Sequence, residues 1–305
     1  MEKFYKKQIK LWKEVYEDWN NSESWQRCLN ALPQYVYNGT EEFTFREEIF
    51  PGYFKDLHHD SFQLYGFCND YFQAKAVLEF EENNDYSKLL EGYYHHILYI
   101  ILGEKHSKFE LGWLEYDFSL LLIFTITYFP QYTSIVGKHL VKFLKFRSEL
   151  LSELNLYRKK YHKMFGFSNV IWLSVFVCKW YGFNDLAKEI QNYFDVIADS
   201  PYQLATENLL CTDAEIVNTW IAGLSDFHIK NSKDNLTLPF NNYYWQYYPI
   251  EIIALLEIRQ KENISNEIIK NDFIKRFLPH IGKYSSIEFD ELTRALTTRI
   301  IGDND

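Results

Sequence analysis

Breakers are scarce in this chain. Its 305 residues hold 12 glycines and seven prolines against 25 phenylalanines, 24 tyrosines and eight tryptophans. Glycine and proline punctuate turns, while bulky rings need broad faces to pack on. Few of the first and many of the second predict long helices with thick interfaces, not a turn-rich β protein. The expected fold class is therefore all-α, with about ten helices read from the period of the apolar positions. At this length they form one compact body or two closely packed helical subdomains, residues 1–160 and 161–305.

Local signals place the helices. Phe4, Ile9, Trp12, Val15, Tyr16 and Trp19 recur on a helical period, so a first helix reaches Asn20 or Asn21. A short helix from Ser24 to Leu32 is stopped by Pro33. The stretch from Gln34 to Tyr53 is the least regular and contains Gly39, Pro51 and Gly52, which suits a loop or a short strand pair. Beyond it the caps are strong. Asp60 or Ser61 opens a helix to Glu82, Asp85 or Ser87 another to Gly103, and further helices run from Leu114 to Phe129 and Tyr132 to Tyr157. Ser168, Asn184, Asp213 and Pro249 open four more, Gly182 sits where a left-handed C-terminal residue belongs, and two short helices finish the chain. A soft boundary falls between Tyr157 and Phe167, and the tail "IGDND" is expected to fray.

Charge narrows the partners. With 32 basic and 42 acidic residues the formal net charge is −10, so direct nucleic-acid binding is disfavoured. "RKK" (Arg158 to Lys160) is the densest basic run. An acidic surface suits a basic protein partner, or simply solubility, and leaves a homo-oligomer open. Cys28, Cys68, Cys178 and Cys211 are far apart with no CxxC, and read as reduced core thiols of a cytoplasmic protein. The first residues carry charges throughout and lack the apolar core of a signal peptide. The greasiest stretch, "FSLLLIFTITYF", is twelve residues ending before Pro130. That is too short to span a bilayer and suits a buried helix.

Catalytic and metal motifs are weak. The doublets His58-His59 and His95-His96 supply at most one ligand each to a given site, because neighbours on a helix point about 100° apart. One packed and one solvated histidine is the plain expectation for each. HExxH, GxSxG and a glycine-rich phosphate loop are absent. Glu81-Glu82-Asn83-Asn84-Asp85, and Asn84-Asp85-Tyr86-Ser87 with Glu91, loosely resemble the two magnesium-binding runs of terpene synthases. One residue is missing between Asp85 and Ser87, and the two runs overlap where that chemistry needs opposite walls of a cavity. A helical isoprenoid-type lyase is therefore a minor alternative, and the solvated end of a helix is the better reading. No metal or cofactor is expected.

"YYWQYYPIEIIALLEI" (Tyr243 to Ile258) stands apart, with five aromatic residues in its first six and one carboxylate, Glu251, early in an apolar run. Pro249 suits the first position of a helix, which puts Glu251 in the first turn, where a carboxylate can meet free N–H groups and the positive end of the dipole. Glu251 thus reads as a structural cap rather than a catalytic acid. The segment also resembles the signature near the C-terminus of PoNi-type bacterial immunity proteins, through Tyr247, Tyr248, Glu251 and Ala254. Tyr248 stands where that family usually has tryptophan. Trp220 and His228 upstream resemble the Trp and His that often precede the signature, and "NDFIKRFLP" (Asn271 to Pro279) is similar to the family's closing segment. The resemblance implies a two-part, all-helical protein, made beside a secreted antibacterial toxin, a nuclease for example. It would bind that toxin in the producing cell without catalysis. Candidate contacts are Glu41, Glu42, Glu47 and Glu48, and a second cluster of Glu79, Glu81, Glu82 and Asp85. Another helical interaction module, such as a phage-defence component, is the main alternative.

Overall fold

The computed structural model describes residues 1–108, 113–153, 168–194, 200–284 and 287–302. Among them are thirteen α-helices and one two-stranded sheet, so the fold is nearly all-α. In chain order the helices are α1 (Glu2–Asn21), α2 (Glu23–Asn38), α3 (Ser61–Asn83), α4 (Tyr86–His106), α5 (Glu115–Tyr128), α6 (Thr133–Glu153), α7 (Ser168–Trp180), α8 (Asn184–Gln191), α9 (Gln203–Glu207), α10 (Ala214–Asn231), α11 (Tyr243–Tyr247), α12 (Ile250–Lys261) and α13 (Glu291–Ile301). The strands β1 (Glu42–Phe50) and β2 (Tyr53–Asp60) lie between α2 and α3. Short helices such as α9 and α11 lift the number above the ten or so that periodicity alone predicts, because one turn carries too few residues to show a period.

Contacts divide the chain into two units, Met1–Tyr5 with Leu111–Ser285, and Lys6–Glu110 with Ser286–Asp305. The boundary expected at residue 160 and the basic run Arg158 to Lys160 lie outside the described residues.

The second unit is built on α3 and α4. Asp60 caps α3 through a reciprocal pair, in which the Gln63 N–H donates to Asp60 Oδ1 at 2.9 Å and the Asp60 N–H donates to Gln63 Oε1 at 3.2 Å. Asp85 caps α4 by accepting from the N–H groups of Ser87 and Lys88 at 3.0 and 3.3 Å. The two helices approach so closely that a Cβ on Gly92 would lie 2.4 Å from the Ala76 Cβ. α13 packs on α4, where Phe289 stacks on Tyr94 at 4.3 Å and Thr297 donates to the Tyr94 hydroxyl at 3.3 Å.

Two local readings, of Pro33 and of His95-His96, are corrected here, and His58-His59 keeps one solvated and one packed ring. Pro33 does not stop α2, which continues to Asn38 and ends at left-handed Gly39. Burial of Leu32 and Tyr35 beside the proline offsets the lost backbone hydrogen bond. His95 and His96 are both buried, because α4 is enclosed along its length and adjacent positions both point inward. Burial holds each of these imidazoles down at a pKa of about 3. His58 and His59 lie on a strand, not a helix, so they face opposite sides. His58 Nδ1 is 3.0 Å from Thr44 Oγ1, while His59 sits among Phe45 and Phe67.

The first unit is organised around α5, which is buried from Glu115 to Thr127 and contacts α6, α7 and α12. No helix among the described residues is long and apolar enough to cross a membrane. Asp117, inside this unit, accepts from the Leu114 N–H at 2.8 Å. Burial still pushes its carboxyl well above the usual range.

Candidate functional site

The motif residues are interior. Trp220, His228, Tyr247, Tyr248, Glu251 and Ala254 are all buried. Pro249 takes the position just before α12, one earlier than expected, and the helix has no side-chain cap. Glu251 therefore does not act as the predicted cap. Its Oε1 lies 2.7 Å from His228 Nδ1 instead, joining α12 to α10. The Gln246 carbonyl, 3.1 Å from His228 Nε2, can only accept, so Nε2 carries a hydrogen. The imidazole lies 4.3 Å from the Phe240 ring. Glu251 Oε2 has no hydrogen-bond partner among the described residues. The Glu251 charge adds to burial in pushing the Tyr202 phenol well above its ordinary pKa. This is a structural tie between helices, as the sequence suggests, but its partner is a histidine rather than a helix end.

The acidic clusters are less free than their composition suggests. Arg299 donates to Glu41 Oε1 at 2.7 Å, and the Ser61 hydroxyl to Glu41 Oε2 at 2.6 Å. Arg27 and Ser24 hold the two oxygens of Glu47 at 2.8 Å each. Glu48 accepts from the Gly52 N–H at 2.6 Å and closes the turn. In the second cluster Asp85 is the α4 cap, Glu79 lies 3.9 Å from Lys75, and Glu82 is exposed. Glu81 is also engaged, in an electrostatic or hydrogen-bonding contact. Glu42 is exposed at the start of β1. So neither cluster is wholly free anionic surface. Several of their carboxylates fasten helices and turns.

No family model, curated protein or solved structure matches this chain. The resemblance drawn from residues 220–279 thus stands on those motif residues alone.

A third arrangement, in the second unit, is a polar slot. Lys88 donates to Glu91 Oε2 at 2.7 Å, and the Asp290 N–H to Glu91 Oε1 at 2.7 Å. Lys75 lies 3.9 Å from both Glu79 and Asp290. His95 forms the floor, stacked on Phe72 at 3.9 Å, with Tyr65 at 2.7 Å from Nδ1 and Thr293 at 3.2 Å from Nε2. Carboxylates do converge here, but lysines are interleaved with them and both histidine nitrogens are engaged. The slot's histidine therefore has no ring nitrogen left over for a ligand. Among the described residues no group of three or more His, Cys, Asp or Glu side chains could hold a metal. The residues that resemble the terpene-synthase runs span the end of α3, the turn of left-handed Asn84 (φ 54°) and capping Asp85, and the start of α4. Buried Cys178 has its thiol pushed up to about 12, which suits packing rather than reaction.

The feature least explained by folding is the hairpin β1–β2. Its base is anchored. Phe43 is buried, Arg27 donates to the Arg46 carbonyl at 2.9 Å, and Lys108 is ion-paired to Asp60. Its far end is not. Ile49, Phe50, Tyr53 and Phe54 are 43%, 66%, 56% and 48% exposed. Phe50 pairs with Tyr53 across Pro51-Gly52, with Gly52 at φ 79°, which fits a type II turn. Type II turns match the twist of paired strands poorly, and the register slips at Ile49 between Glu48 and Phe50. Acidic Glu41, Glu42, Glu47, Glu48, Asp56 and Asp60 outnumber Arg46 and Lys55 along its length. The carboxylates of this hairpin were visible in the sequence as candidates, whereas its four large apolar residues were not. Their signal was available in "EFTFREEIF" and "YFKDLHHD", aromatic-rich segments flanking Pro-Gly.

Proposed function

We propose that this chain is a non-catalytic binding protein, an immunity protein that neutralises a basic antibacterial toxin, a nuclease in the first instance, inside the producing cell. The observation that carries the reading is the hairpin, an acidic element fixed at its base and bearing uncovered aromatic residues at its end. Folding gives no account of such exposure, whereas a partner surface does. Acidic residues around it suit a protein that binds phosphate, because they mimic its substrate's charge and steer encounter. The motif residues 220–254 support the same reading at the level of fold only, since all are interior.

The test is a growth assay. The open reading frame next to this gene is induced in a bacterial host, with and without this chain. Killing by the neighbour and rescue through a stable complex are expected. A harmless neighbour, or killing at full rate with this chain present, removes the toxin from the reading. A complex with some other protein and no rescue would favour the general interaction module.

A further inference from the structure

An exposed hairpin tip can serve three kinds of occupant: a second copy of this chain, a lipid surface or a different protein. Charge separates them. Two copies would bring Glu42, Glu48 and Asp56 against one another, and like charges across an interface are costly. Acids along an exposed strand pair also act against edge-to-edge association. The negative surface of a bilayer's anionic leaflet would repel the same residues. A basic protein would attract them.

We infer that the Ile49–Phe54 tip is an insertion wedge that enters an apolar cleft of a basic protein, while Glu42, Glu48 and Asp56 meet lysines and arginines on the rim. The inference rests on the toxin-binding reading and names the surface that does the binding. The geometry suits the role. The hairpin is pinned at its base by Arg299 to Glu41 and further along by Arg27 to Glu47, so little ordering entropy remains to be lost when the tip docks. Phe50 and Tyr53 lie 6.2 Å apart at the turn, and the Arg46 guanidinium sits 5.3 Å from the Phe54 ring. Each therefore presents a ring already held by its neighbours. Buried aromatic anchors ringed by polar contacts are what dominate binding energy at protein interfaces. Blocking a nuclease cleft in this way needs no chemistry from the chain, only shape and charge.

The experiment measures binding of the purified product of the adjacent open reading frame to three forms of the full chain. These are wild type, the double variant Phe50→Ser with Phe54→Ser, and Leu236→Ser as a control, since Leu236 is 68% exposed in the other unit. Titration calorimetry at low and high salt is paired with the growth assay and with circular dichroism. The tip variant is expected to keep its helical spectrum and melting curve while losing affinity by about 100-fold or more. Leu236→Ser should bind as wild type does, and salt should weaken the wild-type complex. Equal affinity of tip variant and wild type would overturn the wedge and leave the toxin-binding reading standing. Failure of wild type itself to bind or protect would overturn both. Sedimentation and vesicle flotation supply two further arms. Tip-dependent dimerisation of the wild-type chain alone, or tip-dependent binding to anionic vesicles, would assign the hairpin to one of the other occupants and overturn the proposal.

Discussion

Two places in this protein invert the usual arrangement of side chains. In the first unit a carboxylate and an imidazole, Glu251 and His228, are buried to 1% and 0% side-chain exposure. In the second, four large apolar residues stand in water at the end of a hairpin. The first inversion is largely compensated from within, since Glu251 Oε1 and His228 meet each other and His228 also reaches the Gln246 carbonyl. The second has no compensation among the described residues of the unit that carries it. The difference separates features that hold the fold from features that fold tolerates, and only the second kind is available to a partner.

The largest test of that comparison is removal of one member of the buried pair. Glu251→Ala or His228→Ala leaves its partner desolvated and unpaired, which costs about 3–5 kcal/mol in stability. Urea denaturation followed by circular dichroism measures it. A loss below about 1 kcal/mol, the scale of an exposed pair, would mean that the tie is not structural, and the comparison would collapse.

Next in size is Gly92→Ala. The new methyl group would meet Ala76 at 2.4 Å in the α3–α4 contact, and overpacking of this kind costs about 1–3 kcal/mol. The clashing atom is the Ala76 methyl group itself, so Ala76→Gly in the same chain should recover part of the loss. Thermal melting should show the loss. An unchanged midpoint would mean that the helices can move apart freely.

Much of this frame is legible in the sequence because its signals are local. Asp60, Asp85 and Asp213 start helices as predicted, each meeting N–H groups within three residues of itself. What could not be read depends on distant partners. Glu251 finds His228, 23 positions upstream, a contact that its own helix end could not reveal. Glu41 meets Arg299, 258 positions away, so a cluster of glutamates looked like free surface when part of it fastens α13. Pro33 is a breaker by local rules and is overridden by what α2 buries. The hairpin was half visible, since Gly39, Pro51 and Gly52 marked irregular chain, but the exposure of its tip depends on what does not pack there.

Acidity offers a test in which the two units should respond in opposite directions. In the second unit the buried imidazoles of His95 and His96 have pKa values of about 3, below their ordinary 6.5. The unfolded chain takes up those protons first, so the stability they contribute is present above about pH 6.5 and is lost as pH falls toward 3. Asp60 and Asp290, in the same unit, are lowered and lose their contribution in acid too. In the first unit Asp117, Glu115 and Glu257 are raised, chiefly by burial. Their contribution is present below the ordinary carboxylate range and is lost as pH rises through the folded values. Hydrogen exchange, corrected for its intrinsic pH dependence, should show α3 and α4 losing protection in mild acid before α5 does. Equal loss in both units would mean that these buried groups do not govern acid stability.

The smallest expected effect on folding is the most informative about function. Phe50→Ser with Phe54→Ser removes two rings that are 66% and 48% exposed, so little burial is lost. Exposed substitutions of this kind change stability by no more than about 0.5 kcal/mol. The hairpin base should hold regardless, because its ties to Arg27 and Arg299 use main-chain and carboxylate oxygens below the tip. Urea midpoints for wild type and variant should therefore coincide. A drop of several kcal/mol would show that the aromatic tip is buried in the folded protein in solution and supports the fold. The contrast between a compensated inversion and an uncompensated one would then disappear. Coincident midpoints leave the tip's apolar surface with no role in folding, and make any loss of binding in the same variant a property of the interface alone.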